Sequence, residues 1–139
     1  MVRIVIDTNI WLSGLISQKM RDRLEALIGR ADIVMVGSLE LLMELEETAK
    51  LPKLAKYVNP ENRAAYLQVI RSRLDMVEPK QRVRVCRDPD DDFLIALCLE
   101  GHANFLISGD QDLLSLKSYE EVSILSLTEF EEVLAKLHA

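Results

Sequence analysis

Short runs of apolar residues recur along the chain, separated by stretches in which apolar residues have helical spacing. Residues 2–6 are nearly all β-branched or apolar and alternate little with polar ones, which is typical of a strand buried on both faces. Similar runs predict three more strands, at residues 32–36, 105–107 and 122–125. Val83 and Val85 predict a further short strand or strand-like edge.

Helices are predicted between these strands. Apolar residues recur at helical spacing over residues 10–28, with a break expected at Gly14 and at the polar residues 17–19. Ser38 is a suitable N-cap for a helix over residues 39–50. Later helices are predicted over residues 60–74, from Asp88 to about Gly101, and from about Thr128 to Leu137.

The alternation of strands and helices predicts an α/β fold. Because residues 93–99 are apolar on every side, the helix that contains them should be buried on most of its surface. The strands lack the regular alternation of a sheet with one solvated face, which favours a mainly parallel sheet covered by helices on both faces. A chain of 139 residues fits one domain, over residues 1–139.

The composition is that of an ordinary folded protein, with 49% apolar and 29% charged residues. The formal net charge of −6 argues against a protein that coats nucleic acid non-specifically, but not against a nucleic-acid enzyme with a carboxylate-rich metal site. Cys86 and Cys98 lack the spacing of a disulfide framework or a zinc site and are predicted to be buried thiols.

Nothing in the sequence predicts a membrane protein. No apolar run approaches the roughly 18 residues that cross a bilayer, and the charged residues Arg3 and Asp7 interrupt the N-terminal apolar run that a signal peptide would need. The expected location is therefore the cytoplasm.

Acidic residues follow the predicted strands. In an open parallel sheet the ligand site lies outside the carboxyl ends of the strands, so these acids should meet at one edge. The groups are Asp7-Thr8-Asn9, Ser38 leading to Glu40 and Glu44, Asp88 to Asp92, and Ser108 to Asp112.

Each acidic group alone has an ordinary explanation. Asp7 suits a turn, Asp88 to Asp92 suit a helix N-terminus, and Glu44 suits a solvated helix face. Together, however, the carboxylates would repel one another unless a cation neutralised them, and hard oxygen ligands select Mg²⁺ or Mn²⁺ over zinc. Such a cluster can position water and stabilise charge on a phosphodiester.

Competing chemistries find no support in the sequence. It has no glycine-rich phosphate loop and no serine in a nucleophile elbow. His102 and His138 lack the partner spacing of a zinc site.

Four segments together resemble the PIN domain, in its order and at its spacing, over residues 2–114. They are Val5–Ile10, Ser38–Leu45, Arg87–Leu94 and Leu106–Leu114. The resemblance is strongest to PIN proteins that are toxins of toxin–antitoxin pairs, similar to VapC ribonucleases. It implies a three-layer α/β/α sandwich with a central first strand, and Mg²⁺- or Mn²⁺-dependent cleavage of single-stranded RNA. It also implies a cognate antitoxin and a homodimer as partners.

The resemblance also implies roles for individual residues. Carried over by position, the acidic quartet is Asp7, Glu44, Asp91 and Asp110, with Thr8, Asn9 and Ser108 as supporting hydrogen-bonding residues. Asp7, Asp91 and Asp110 would hold the metal, and Asp112 is a further acid at the rim. Two choices stay open: a helical wheel places Glu46 nearer the apolar side than Glu44, and Asp92 is an alternative or additional metal ligand beside Asp91.

RNA would need a positively charged surface, and the most basic window is residues 71–87. That window is equally well explained as a solvated helix end and linker. Trp11 and Tyr66 are candidates for base stacking or a dimer contact, although core packing is favoured for Trp11.

Two alternatives to the nuclease remain. One is a catalytically weak PIN fold that acts as a regulatory binding partner. The other is a different Mg²⁺-dependent phosphohydrolase of the haloacid-dehalogenase type, which would carry a second Asp where this chain has Asn9.

Overall fold

A six-stranded, mainly parallel sheet runs through the computed structural model, which describes residues 1–137. The spatial order is β3-β2-β1-β4-β6-β5, and within the described residues only the β5–β6 pair is antiparallel. The strands are β1 Val2–Ile6, β2 Ile33–Gly37, β3 Leu74–Met76, β4 Phe105–Ile107, β5 Ser118–Tyr119 and β6 Val122–Leu125.

Helices cover both faces of the sheet, which confirms the predicted three-layer α/β/α fold. They are α1 Thr8–Ile16, α2 Gln18–Ile28, α3 Leu39–Ala49, α4 Pro52–Ala55, α5 Pro60–Arg73, α6 Asp92–Glu100, α7 Gln111–Leu116 and α8 Leu127–Leu137, with a 3₁₀ turn at Pro89–Asp91. None of the helices in this described part of the chain combines the length and apolar character needed to cross a membrane.

Side chains of β1 alternate between two apolar cores. Ile4 and Ile6 pack with residues of α1, α2, α5 and α8, whereas Val5 packs with α6 on the opposite face. All three side chains are at most 2% exposed. The run that begins at Val2 therefore forms a strand buried on both faces, as its lack of alternation predicts.

The predicted strand at Val83 and Val85 is wrong. Both residues lie in a loop that pairs with no strand in the described chain, and the Val85 N–H donates instead to the Asp92 carboxylate at 3.1 Å. The sheet edge is formed by β3, whose first residue, Leu74, the helical spacing assigns to the preceding helix. Helix α5 passes into β3 with no glycine or proline between them, so the sequence carries no boundary signal.

The break between α1 and α2 lies at Ser17, whose hydroxyl caps α2 by accepting the Met20 N–H at 3.2 Å. Gly14 is not part of the break. It lies inside α1, where an added Cβ would overlap the Tyr66 hydroxyl. Glycine is therefore required here for close approach of two helices rather than for a turn.

Trp11 and Tyr66 both belong to the core, with 1% and 7% of their surfaces exposed. The Tyr66 hydroxyl donates to the backbone carbonyl of Trp11 at 2.6 Å, and burial raises the pKa of this hydroxyl. Core packing is thus confirmed for Trp11. Tyr66 is also largely buried, although it lines a surface pocket beside α2, and its role in base stacking or a dimer contact stays a prediction.

Candidate active site

Asp7 and Ser108 follow two neighbouring parallel strands and meet where those strands end. Ile6 of β1 is paired with Ile107 of β4, so the next residue of each strand emerges at the same edge. Asp7 is only 5% exposed, and its Oδ2 accepts a hydrogen bond from Ser108 Oγ at 2.7 Å. Asp7 precedes α1, and the backbone N–H groups of Asn9 and Thr8 favour its ionised form, although no capping bond to α1 is aligned among residues 1–137. A cap role alone does not explain the bond from Ser108.

Ser108 also links Asp7 to Asp110. Its Oγ accepts the backbone N–H of Asp110 at 3.0 Å, while Asp110 Oδ1 accepts the N–H of Asp112 at 2.9 Å and caps α7. Burial raises the pKa of Asp7 and the Asp110 charge adds to this effect, while the Ser108 hydroxyl opposes it. The two carboxylates are therefore close enough to repel each other.

Asp91 approaches the same edge from the 3₁₀ turn. Its Oδ2 is buried and has no hydrogen-bond partner among the described residues. Burial raises the pKa of Asp91 to about 7, and the Asp110 carboxyl adds to the rise, first as a hydrogen-bond partner of the protonated form and then by its charge, with smaller contributions from Asp7 and Asp88. A buried carboxylate oxygen without a donor is costly, and a bound cation or proton would relieve this cost.

Glu44 reaches the site from the exposed flank of α3. Burial of its carboxyl raises its pKa, the Thr8 hydroxyl opposes this, and the Asp7 charge adds to the rise. The Thr8 hydroxyl thus lies near the Glu44 carboxyl. Its oxygen, Oγ1, is buried and makes no hydrogen bond of normal geometry with a described residue. Glu46, by contrast, pairs with Arg71. Of the two glutamates that the helical wheel left open, the geometry favours Glu44.

Asp92 and Asp112 have other contacts. Asp92 Oδ1 accepts the N–H groups of Val85 at 3.1 Å and Cys86 at 2.8 Å. Burial opposes these bonds, but they lower the pKa of Asp92 overall. The Asp112 side chain is 41% exposed, with its Oδ1 3.9 Å from Arg87. Among the described residues, neither acid lines the cleft described below, so the geometry favours Asp91 over Asp92 as the third acid.

A cleft of about 460 Å³ opens beside these acids. It brings together three of the four predicted quartet residues and places Asn9 at an exposed position on its wall, while Asp110 adjoins it through Asp7 and Asp91. Its lining residues are Asp7, Asn9, Glu40, Glu44, Pro89, Asp90, Asp91, Phe93 and Leu94.

Glu40 and Asp90 line this cleft but were not predicted as site residues. A signal was present, because Glu40 lies four residues before Glu44 on α3 and Asp90 adjoins Asp91. Neither position differs from an ordinary acidic residue at a helix N-terminus, and only their place in the structure reveals their proximity to the cleft.

The side chains fit a hard divalent cation in chemistry. The donors are carboxylate and hydroxyl oxygens, and the buried Asp91 Oδ2 lacks a partner among the described residues. Within residues 1–137 no group of three His, Cys, Asp or Glu side chains is placed so that it could already hold a metal ion. A cation would therefore have to draw these carboxylates together on binding.

Comparison with known proteins identifies a family whose model covers all of these site residues. The PIN domain model matches residues 3–112, a range that contains Asp7, Glu44, Asp91 and Asp110. The chain is also similar to Uncharacterized protein MJ1680 of Methanocaldococcus jannaschii. The two are 35% identical over 118 residues, which cover 84% of this chain and 76% of that relative.

Proposed function

This chain belongs to the PIN-domain family, whose members are generally nucleases, and on that premise we propose that it is a Mg²⁺- or Mn²⁺-dependent endoribonuclease that cleaves single-stranded RNA. One observation carries the proposal: the unpartnered Asp91 carboxylate oxygen is buried close to Asp7 and Asp110 at the strand ends. Three mutually repelling carboxyls at a cleft are poorly suited to stability alone but well suited to holding a cation.

Each side chain has a distinct role in the proposed reaction. Asp7, Asp91 and Asp110 would hold the ion, which supplies a Lewis acid for the phosphodiester. Ser108 fixes the orientation of Asp7 by donating to its Oδ2 at 2.7 Å. Glu44, whose pKa is raised by burial, orients water at the cleft wall.

The direct test is cleavage of end-labelled single-stranded RNA by the purified protein. We expect cleavage with Mg²⁺ or Mn²⁺, and loss of cleavage with EDTA or with Asp7→Asn. Double-stranded RNA and single-stranded DNA of the same sequence serve as substrate controls. Cleavage that survived both EDTA and the substitution would contradict a metal-dependent nuclease, whereas RNA binding without cleavage under every metal condition would favour the regulatory binding partner.

We further propose that the enzyme is a cytoplasmic toxin of a type II toxin–antitoxin pair, a homodimer held inactive by a cognate antitoxin. The support is the resemblance of its four motifs to VapC-like proteins. Induced expression in a bacterial host should arrest growth, and expression of Asp7→Asn at the same level should not. Co-expression of a small protein encoded next to the gene should restore growth. Equal growth with the wild-type protein and the variant would contradict the toxin role.

A further inference from the structure

The loop of residues 77–88 joins β3 to the wall of the cleft. At its start the Val77 N–H donates to the Gly37 carbonyl at 2.8 Å, and Val83 and Cys86 pack against the apolar core that contains α6. The positively charged residues between and beside these anchors are exposed, namely Lys80, Arg82, Arg84 and Arg87. The loop is therefore held by its apolar residues while its cations face solvent.

Asp92 is a second anchor for this loop. One oxygen of its side chain, Oδ1, accepts both the Val85 and the Cys86 N–H groups, at 3.1 and 2.8 Å. Asp92 begins α6, a helix whose next residues, Phe93 and Leu94, line the cleft. Bonds from two successive main-chain amides to a carboxylate on a rigid helix fix the loop relative to the acidic cleft.

Arg84 and Arg87 flank this anchor on either side. The Arg87 side chain is 87% exposed, and its ion pair with Asp112 is long, at 3.9 Å, so its N–H groups are available to another anion. The loop then continues through Asp88 into Pro89 and Asp90 of the cleft wall. Cations immediately beside an acidic cleft are suited to binding a polyanion that the cleft itself repels.

We propose that Asp92 is a positioning residue that fixes the 77–88 loop beside the cleft, so that Arg84 and Arg87 bind phosphates of the RNA strand flanking the scissile bond. This inference rests on the proposed ribonuclease function. The two neighbouring acids then have different roles. Asp92 positions the RNA-binding loop, and Asp91 belongs to the group of carboxylates that holds the cation.

Arginine substitutions test the phosphate contacts. Binding of fluorescent single-stranded RNA is measured by anisotropy in EDTA, where no cleavage is expected, over a series of KCl concentrations. Arg84→Ala and Arg87→Ala should each weaken binding several-fold and make the salt dependence, d log K/d log[salt], shallower by about 0.7. Arg73→Ala is the matched control, because Arg73 is an exposed arginine immediately before β3 and so lies at the amino ends of the strands, away from the cleft.

Substitutions of Asp92 test the positioning role. Asp92→Asn keeps one carbonyl oxygen in the place of Oδ1, which accepts both loop N–H groups, and should bind and cleave RNA within about twofold of wild type. Asp92→Ala removes the acceptor and should raise KM for RNA about 5- to 10-fold while kcat changes little. It should also reduce the salt dependence of binding, a property that a general loss of packing would not change selectively.

Two results would overturn the inference while leaving the ribonuclease intact. One is a wild-type enzyme that cleaves RNA but whose salt dependence is unaffected by Arg84→Ala and Arg87→Ala. The other is a loss of cleavage in Asp92→Asn as severe as in Asp7→Asn, which would place Asp92 among the metal ligands. A wild-type protein that neither binds nor cleaves RNA would overturn the proposed function and this inference with it.

Discussion

Asp7→Asn is expected to lower kcat for RNA cleavage by about 1,000-fold, equivalent to roughly 4 kcal/mol of transition-state stabilisation. Asparagine has nearly the same shape and its carbonyl oxygen can still accept the Ser108 hydroxyl, which lies 2.7 Å from Asp7 Oδ2. It cannot supply the negative charge that a divalent cation requires. Because burial raises the pKa of Asp7, removing its charge should not destabilise the fold.

Single-turnover cleavage measures this effect without interference from product release. Ser108→Ala, which removes the hydroxyl that orients Asp7, should cost only about 10- to 100-fold because the charge remains. Asp22→Asn, at an exposed acid on α2, controls for the loss of one negative charge and should be neutral. An Asp7→Asn enzyme with near wild-type kcat and the same metal requirement would remove Asp7 from the site.

Asp91→Asn is expected to abolish cleavage to a similar degree and yet stabilise the metal-free protein. Burial and the neighbouring Asp110 raise the pKa of Asp91 to about 7, so ionising this carboxyl opposes folding at neutral pH. The side chain is partly solvated, which reduces the effect, and we expect a gain of about 1–2 kcal/mol at pH 8. For a chain of this size that corresponds to a rise in Tm of about 3–8 °C.

The stabilisation by Asp91→Asn should depend on pH with a defined sign. The folded-state pKa lies above the unfolded value of 3.8, so the wild-type protein retains its stability below that value and loses it as the pH rises towards about 7. Thermal melts in EDTA at pH 5 and pH 8 should therefore show a larger Tm difference between variant and wild type at pH 8. A variant less stable than wild type at pH 8 would contradict the account of Asp91 as a strained carboxylate.

The sequence predicts the strands that are apolar and central. Within residues 2–6 and 105–107, Ile4 to Ile6 and Leu106 to Ile107 are buried on both faces of the sheet, so their composition alone distinguishes them. The two edge strands, β3 and β5, have only three and two residues and were missed. Val85 misleads the prediction because it is β-branched, whereas its N–H binds a carboxylate rather than a strand.

The candidate site was predictable to the level of the sheet edge but not of the individual side chain. Asp7 and Ser108 follow directly from the ends of β1 and β4, since parallel strands bring those ends together. The choice of Glu44 over Glu46 depends on the ion pair between Glu46 and Arg71, a contact between two helices that no local pattern encodes.

The distinction between Asp91 and Asp92 likewise depends on tertiary structure. The two acids are adjacent in sequence and both lie at a helix start, where acids are favourable. One has a buried oxygen with no partner among the described residues, and the other accepts two loop amides. Asp92 and Cys86 are six residues apart in the sequence, and the Cys86 N–H reaches the Asp92 carboxylate only because the loop folds back onto the start of α6.

Binding of Mn²⁺, followed by the electron paramagnetic resonance signal of the free ion, tests most directly whether the carboxylates at the strand ends form a cation site. The wild-type protein should bind Mn²⁺, and Asp7→Asn and Asp91→Asn should each weaken its binding by at least about 10-fold. Asp92→Asn, one residue along the chain, should retain wild-type affinity because its carboxylate serves the loop. Equal Mn²⁺ affinity in all four proteins would contradict a metal site built on Asp7 and Asp91.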